Sequence, residues 1–294
     1  MTERHRFRGV LQMLAAVLCF ALLDVTAKHL SQTFPVPMLV WGRYTLHFVL
    51  MLVFLAPRMR WQLIATQRPR LQIVRALMLV GVTGFAMAAF RILPLAETTA
   101  LLFVTPLVVA LLAGPILGEK LRPLHWIASL CGFLGVLLIA RPEGAINLTG
   151  LAFVFAAAAC YSIYQIQTRQ LSPTEHTLTM LFYTALVGTV SMTLAAPLYW
   201  SGPWPDALEA LMIASLGIYG GTGHFLLISA FRHAPASTLS PLLYAQLVWA
   251  TLLGWLFFDH WPDALSFAGM GIIVASSIAI ALTPQRTKPQ QSGA

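Results

Sequence analysis

The chain has 294 residues, of which 58% are hydrophobic and only 10% are charged. Soluble domains carry roughly 25% charged residues, so this composition excludes a soluble globular protein and indicates a chain that lipid solvates over long stretches. The net charge of +8 is typical of nucleic-acid binding, but the basic residues lie in short loops between apolar runs, which argues against that partner.

Ten segments are apolar over the roughly 20 residues that a helix needs to cross a bilayer. In chain order they are 9–30, 36–57, 71–91, 94–117, 123–141, 150–170, 177–200, 207–230, 236–258 and 263–283. Each should be helical, because an isolated strand in lipid leaves its backbone N–H and C=O groups unpaired. The sequence therefore predicts an all-α polytopic membrane protein of ten transmembrane helices, followed by a disordered polar tail at 284–294.

The first segment imitates a signal peptide, since basic residues precede an apolar run. However, the run at 9–30 is long enough to span the bilayer, and no small-x-small cleavage site follows it. We therefore expect an uncleaved first helix, preceded by a short cytoplasmic N-terminus at 1–8.

The distribution of Lys and Arg predicts the orientation, because loops rich in these residues stay in the cytoplasm. With the N-terminus inside, fourteen of the eighteen Lys and Arg residues fall on the cytoplasmic side. They are Arg4, Arg6, Arg8, Arg58, Arg60, Arg68, Arg70, Arg75, Lys120, Arg122, Arg169, Arg232, Arg286 and Lys288. The remainder lies outside or within the membrane: Lys28, Arg43, Arg91 and Arg141. The sequence thus predicts a multi-pass protein of a bacterial-type inner (plasma) membrane with both termini in the cytoplasm.

The chain repeats itself at a spacing near 141 residues. Segment 9–30 aligns with 150–171 without a gap, and segment 105–121 aligns with 245–261. Two windows with nearly the same offset are hard to explain by the biased composition alone. The repeat therefore predicts a duplicated five-helix unit.

The two predicted units are 9–141 and 150–283. Five is an odd number of crossings, so the second unit should enter the membrane upside down. The charges agree, because loop 118–122 is basic whereas its counterpart 258–262 has no Lys or Arg. Inverted repeats of this kind are typical of secondary transporters, whose substrate site lies near the midplane between the halves.

Each half ends its fourth helix in a stretch of small residues that carries an acidic residue, LLAGPILGEKL and LLGWLFFDHW. With the run LAETTALLFVTPLVVALLAGPILGEKL, these motifs resemble the drug/metabolite transporter superfamily, and within it the EamA-type ten-helix transporters, over nearly the whole chain. The resemblance implies a basket-like bundle whose central cavity is lined mainly by helices 1, 3, 4, 6, 8 and 9, with helix 2 at the periphery. It also implies export of amino acids or related metabolites, or uptake of a vitamin such as riboflavin. Asp259 stands where the family more often has Glu.

Charges within spans are costly and each one asks for a partner or a function. Asp24 is either paired with Lys28 at i+4 or a site for a proton or a substrate amine. Arg43 is either a structural partner, for example of Asp24, or a ligand for a substrate carboxylate. Glu97, near a helix N-terminus, is favoured there by the helix dipole or acts as a protonatable coupling residue, with Arg91 placed to neutralise it.

Polar side chains in the middle of other spans are further candidates. Tyr164 and Gln165 in helix 6, and Tyr244 and Gln246 in helix 9, either line a cavity for a ligand with an aromatic or amide group or form hydrogen bonds between helices. His224 follows the glycine-rich GIYGGTGH of helix 8 and is either a packing residue or part of a proton relay.

Prolines interrupt corresponding helices of the two halves. Pro94 and Pro235 open helices 4 and 9, while Pro106 and Pro241 lie inside them. A proline inside a helix removes a backbone hydrogen bond and permits bending. These four prolines are therefore candidate hinges beside the binding site.

No cofactor or metal is expected, since Cys19, Cys131 and Cys160 lie in apolar runs without a CxxC spacing and are interpreted as small buried residues. The absence of GxxxxGK[ST] predicts that the chain does not hydrolyse ATP, and no ATPase subunit is evident. No HExxH or paired acidic motif indicates an enzyme. The expected partners are lipid and a small-molecule substrate, with the chain a monomer or a weak homodimer.

The sequence therefore predicts a secondary transporter that works by alternating access. Export of an amino acid or an amino-acid-derived compound, including an opine-type metallophore, is the leading hypothesis, and riboflavin-like uptake is the alternative. The driving force is either the proton gradient or the gradient of the substrate itself.

Overall fold

A computed structural model describes residues 3–105, 108–109, 123–140, 147–171, 173–199, 203–233 and 240–281. We number the helices of eight or more residues α1 (Glu3–Leu30), α2 (Val36–Phe54), α3 (Pro69–Ile92), α4 (Leu95–Leu102), α5 (Pro123–Ala140), α6 (Leu148–Leu171), α7 (Thr177–Tyr199), α8 (Ala207–His233), α9 (Ala245–Phe258) and α10 (Ala264–Ala281). A short helix (Ala56–Met59) and two 3-10 helices (Arg60–Leu63 and Ser240–Tyr244) join them, and these described parts of the chain contain no strand.

Six of these helices are long and apolar enough to cross a membrane. They contain the spans Phe7–Leu30, Val36–Phe54, Pro69–Ile92, Leu148–Thr168, Thr177–Ala195 and Ala207–Leu227. Shorter apolar helices lie at Leu130–Ile139, Leu242–Phe258 and Ala264–Ser276. The all-helical membrane architecture is thereby confirmed. The count of ten spans stays a prediction, because most of the second half of predicted segment 94–117 lies outside the described residues.

Helices from the two halves pack chiefly on each other. α1 packs on α8, and α6, which holds the corresponding place in the second half, packs on α3. The corresponding pairs α2 with α7, α4 with α9, and α5 with α10 are also in contact. The pairing therefore stays the same when the halves are exchanged, which is the pattern of a two-fold repeat.

Glycines permit the closest of these crossings. A Cβ on Gly135 of α5 would lie 2.8 Å from the carbonyl oxygen of Gly269 in α10, and a Cβ on Gly269 would lie 2.6 Å from the oxygen of Gly135. The two backbones are thus in direct contact, as is usual where small residues line helix interfaces in membranes. Cys131 on the same α5 is exposed, so its interpretation as a buried residue is wrong; Cys19 and Cys160 are half-buried.

The breaks in the fourth and ninth helices meet each other. α4 begins after Pro94, and the ring of its C-cap residue Phe103 packs tilted against that of Tyr244, the N-cap residue of α9, with 5.1 Å between centroids. Pro241 lies in the 3-10 helix just before α9, whereas Pro106 and Pro235 lie outside the described residues. The hinge role of the four prolines stays a prediction.

Candidate functional site

Asp24 joins the two halves near the middle of the bundle. Its half-buried carboxylate on α1 accepts a hydrogen bond from the side-chain amide of Gln246 on α9, with 2.9 Å between Nε2 and Oδ2. A carboxylate can accept about four hydrogen bonds, so this contact leaves capacity for a proton or a ligand. Two of the candidate residues, 222 positions apart in sequence, are therefore brought together.

Lys28 is engaged with α3 instead of with Asp24. Its ammonium donates to the backbone carbonyls of Phe90 and Leu93 at 2.7 Å and 2.6 Å and lies 5.2 Å from the ring centroid of Phe258. The last carbonyls of a helix lack partners within the helix, and a cation there is favoured by the helix dipole. Lys28 therefore caps α3, a role that the spacing to Asp24 did not predict.

Arg43 is held by hydroxyl groups. Its Nη1 donates to Thr83 Oγ1 at 3.1 Å, and Thr83 also lies 2.9 Å from the hydroxyl of the buried Tyr44, which bonds to the carbonyl of Leu79 at 3.0 Å. In the described part of the chain no carboxylate lies within 4 Å of Arg43. Arg43 nonetheless lies near α1, because a Cβ on Gly220 of α8 would lie 3.2 Å from Nε of Arg43 and 3.3 Å from Cδ1 of Leu23, the residue before Asp24.

Two imidazoles lie beside Arg43. His224 on α8 packs edge-on against Phe20 at 5.0 Å between ring centroids, and His47 on α2 is buried against Gly221. His47 follows Arg43 by one helical turn on α2, and His224 follows Gly220 by one turn on α8, where a Cβ on Gly220 would lie 3.2 Å from Nε of Arg43. The resemblance places helix 2 at the periphery, but the face of α2 that carries Arg43 and His47 is packed against α8.

Arg75 is a buried charge that the sequence reasoning missed, because it counted this residue among the basic residues on the cytoplasmic side. It lies in α3, is 1% exposed, and donates to the hydroxyls of Thr168 at 3.2 Å and Thr184 at 2.9 Å and to the carbonyl of Met180. Its guanidinium carbon is 4.9 Å from the ring centroid of Tyr164. The signal was present, because 75 falls within the predicted span 71–91, but the charge was counted by its nearness to the span's end.

Tyr164 and Gln165 are half-buried on α6. The ring of Tyr164 stacks on Tyr161, with 5.8 Å between centroids and 17° between planes. Tyr164 is thus placed between a second aromatic ring and the guanidinium of Arg75. Tyr244, by contrast, packs on Phe103 at the helix break, and Gln246 contacts Asp24. The four candidate polar side chains of α6 and α9 therefore lie in three different places.

Glu97 is paired across the halves with a residue that the sequence reasoning did not single out. Its Oε1 lies 3.0 Å from Nε2 of His260, just beyond the end of α9. The expected neutralising residue, Arg91, has an exposed side chain, and its carbonyl accepts a bond from Gln32. His260 was overlooked because it falls in the short stretch between two predicted spans.

These features define the class of the protein. It is a polytopic membrane protein with charged side chains buried between the helices of its two halves. The EamA-like transporter family matches residues 7–141 and again residues 148–282. The chain therefore belongs to the EamA-like transporter family, and the family resemblance of its sequence is confirmed. The named members of this family are transporters, not enzymes.

Relatives match over nearly the whole length. A pseudopaline exporter of Pseudomonas aeruginosa is 31% identical over 94% of this chain and 96% of its own. A riboflavin transporter of Vibrio cholerae is 29% identical over 93% of both chains. An S-adenosylmethionine uptake transporter of Rickettsia prowazekii is 24% identical over 95% of this chain and 94% of its own.

A solved crystal structure has the same fold. It is 21% identical in sequence, has a TM-score of 0.67, and covers 93% of this chain and 96% of its own. The helical architecture described above is thus one that a protein of this size has been observed to adopt.

Proposed function

We propose that this transporter exports a small zwitterionic metabolite, an amino acid or an amino-acid-derived compound, across the bacterial inner membrane by alternating access. The observation that carries the proposal is the nearness of two opposite charges that form no ion pair. A Cβ on Gly220 would lie 3.2 Å from Nε of Arg43 and 3.3 Å from Cδ1 of Leu23, the residue before Asp24. Such a pair is complementary to a ligand that carries an ammonium and a carboxylate, because each buried charge then gains the partner that burial demands.

Alternating access is supported by the relation between the halves. The family matches twice along the chain, and the helix pairing is unchanged when the halves are exchanged. We infer two inverted five-helix units at 9–141 and 150–283 around a central cavity, with both termini in the cytoplasm. Rocking one unit against the other would then expose the same site to either side of the membrane.

Export is the proposed direction because a pseudopaline exporter is similar over almost the whole chain. Deletion of the gene should therefore raise the intracellular level of one or more metabolites and lower their extracellular level. A metabolite survey of the deletion strain measures both pools. Unchanged pools on both sides of the membrane would contradict export.

The charge pair has a direct test in proteoliposomes. Counterflow of the metabolite found by the survey is compared for wild type, Asp24→Asn and Arg43→Gln. Loss of a charge-assisted hydrogen bond worth about 1.5–3 kcal/mol should raise KM by about tenfold or more, because about 1.4 kcal/mol is tenfold. Asp206→Asn and Arg91→Gln remove exposed charges and should leave KM unchanged. An unchanged KM in both site variants would remove the charge pair from the binding site.

Uptake of a flat aromatic compound such as riboflavin is the second candidate. It is favoured by the stacked pair Tyr161 and Tyr164 and by the similarity to a riboflavin transporter. Tyr164→Leu distinguishes the two functions. It should abolish uptake of riboflavin into cells if the aromatic pair binds that ligand, and it should leave counterflow of a small zwitterion largely intact.

A further inference from the structure

The contact between Glu97 and His260 lies apart from the proposed substrate-binding charges. Glu97 is only 5% exposed in the first turn of α4, whereas the His260 side chain is 40% exposed. One side of the contact is therefore embedded in the bundle, and the other side is exposed on its surface. We call the 3.0 Å contact of Nε2 with Oε1 the outer contact.

The backbone fixes the position of His260. α9 ends at Phe258, and its C-cap residue Asp259 has a left-handed φ of 51°, a conformation that Asp tolerates better than most residues. The amide of Asp259 then bonds to the carbonyl of Trp255 at 3.0 Å, and the amide of His260 bonds to that of Gly254 at 3.3 Å. This helix cap holds the imidazole over α4, so the outer contact joins the two halves.

The buried carboxylate is incompletely paired. Among the described residues, Oε2 of Glu97 has no hydrogen-bond partner although it is buried. Other charged groups at this end of the bundle are Lys28 of α1, whose ammonium bonds to the carbonyls of Phe90 and Leu93, the exposed Arg91 of α3, the exposed Asp259 after α9, and Asp263, which caps α10 through the amide of Ser266. An unpartnered buried carboxylate oxygen is unfavourable unless a charge or a proton compensates it.

We infer that the outer contact is a proton-dependent closure between the halves at the outer mouth of the transporter, with His260 as its proton-accepting residue. The inference rests on the orientation in the proposed function, which places this end of α1, α3, α4 and α9 outside. Protonation of His260 from the outer solution turns a hydrogen bond between a neutral imidazole and the carboxylate of Glu97 into an ion pair, which adds the attraction between opposite charges. Outer acidification therefore favours the closed outer mouth, and loss of the proton favours opening.

A labelling experiment tests the inference without knowledge of the substrate. Thr98 is buried beside Glu97, so the thiol introduced by Thr98→Cys reacts with reagent from outside only when the outer mouth opens. The background lacks Cys19, Cys131 and Cys160, and the probe is a membrane-impermeant methanethiosulfonate added to cells at outer pH about 5 and about 8, the range in which imidazoles change charge.

The expected result is that His260→Gln accelerates labelling at the lower pH more than at the higher pH. The ratio to the unsubstituted His260 chain at each pH removes the pH dependence of the thiol itself. His29→Gln, an exposed histidine at the end of α1, should leave the ratio at one. The same acceleration at both pH values, or none, would overturn the proton dependence.

A cross-link tests the closure by a second route. In the cysteine-free background, Glu97→Cys with His260→Cys is joined by a short bifunctional methanethiosulfonate, which should stop counterflow, and reduction should restore it. Full counterflow in the cross-linked protein would overturn the closure. If the labelling result is obtained while no metabolite shows counterflow even in wild type, the proposed function fails and the gating inference stands.

Discussion

Arg75 is stabilised inside the bundle by three helices at once. Its guanidinium lies in α3, its hydrogen-bond acceptors belong to α6 and α7, and the face of Tyr164 packs against it. A guanidinium cannot lose its charge, and its planar fork reaches several acceptors in fixed directions. The side chain therefore fixes the relative positions of these three helices.

Substitution of Arg75 should show directly how much its contacts with the three helices contribute to stability. Arg75→Gln removes the hydrogen bonds that the guanidinium donates to the hydroxyl of Thr184 and to the carbonyl of Met180, and it should lower the free energy of unfolding by about 3 kcal/mol. Arg75→Lys should be nearly as damaging, because an ammonium lacks the fork. Thermal unfolding in detergent measures both, and Arg68→Gln, at an exposed position, is the matched control. Equal stability of Arg75→Gln and Arg68→Gln would contradict the bracing role.

For single residues, the sequence indicated the candidate site residues better than it indicated their contact partners. Asp24 and Gln246 were both expected at the site, but nothing in either local pattern predicts a contact across 222 positions. Lys28 was expected near Asp24 because i+4 residues share a helix face, and the free carbonyls at the end of α3 attract it more strongly. His260 was missed because hydropathy treats a residue between spans as loop, whereas a helix cap folds it back over α4.

Helix ends and crossings depend on a few contacts of the kind that Lys28 makes. Its ammonium bonds to the carbonyl of Phe90 in the last turn of α3 and to that of Leu93, the C-cap residue of α3. Because Pro94 follows immediately and has no amide hydrogen, the chain cannot satisfy these carbonyls by continuing the helix. The angle between α3 and α4 therefore depends on a side chain from α1.

Lys28→Met tests this dependence at constant side-chain length. It should lower the free energy of unfolding by about 1–3 kcal/mol, the cost of leaving a buried polar group unpaired. Arg91→Met removes an exposed positive charge from the same end of α3 and should change stability by less than about 0.5 kcal/mol. Chemical denaturation followed by tryptophan fluorescence compares the two variants. Similar losses in both would indicate that charge, not the capping geometry, matters.

The crossing of α2 and α8 depends on Gly217. A Cβ there would lie 2.7 Å from Cβ of Leu46 and 2.9 Å from the carbonyl oxygen of Arg43. Gly217→Ala should therefore force the helices apart, lower stability by about 1–3 kcal/mol, and displace Arg43. Gly84→Ala is the matched control, because nothing lies within 4 Å of that Cβ. Thermal unfolding and KM of counterflow check both effects, and a Gly217→Ala protein with wild-type stability and KM would contradict the tight crossing.

Composition predicts where helices lie along the chain, but it does not predict which helices pack on each other. The apolar runs predict α1, α2, α3, α6, α7 and α8 as spans, because length and hydropathy decide insertion. The contact of α1 with α8 depends on matching surfaces such as Gly223 against Phe20, which a single sequence does not reveal. The 3-10 turn before α9 was indicated in part by Pro241, since a proline disfavours a regular helix at that point.

The positions of the basic residues in the short loops predict how the whole molecule is oriented in the membrane. If the halves are inverted as proposed, the loop after α2 and the loop after α6 both face the cytoplasm. Reporter fusions or impermeant labelling at Arg68 and at Thr174 should therefore place both sites inside, and labelling at Gln32 and Asp206 should place those sites outside. Sites of one pair on opposite faces of the membrane would contradict the inverted arrangement.

The exchange of partners between halves has a consequence for biogenesis. α1 leaves the ribosome first, yet it packs more extensively on α8 than on any helix of its own half. Domains generally fold as units during synthesis, but here the opening helix must wait in the bilayer until most of the polypeptide has been translated. During that interval Asp24 lacks its eventual partner Gln246 of α9. Insertion chaperones that shield polar groups in nascent spans should therefore matter more for this chain than for proteins whose helices pair in the order in which they are made.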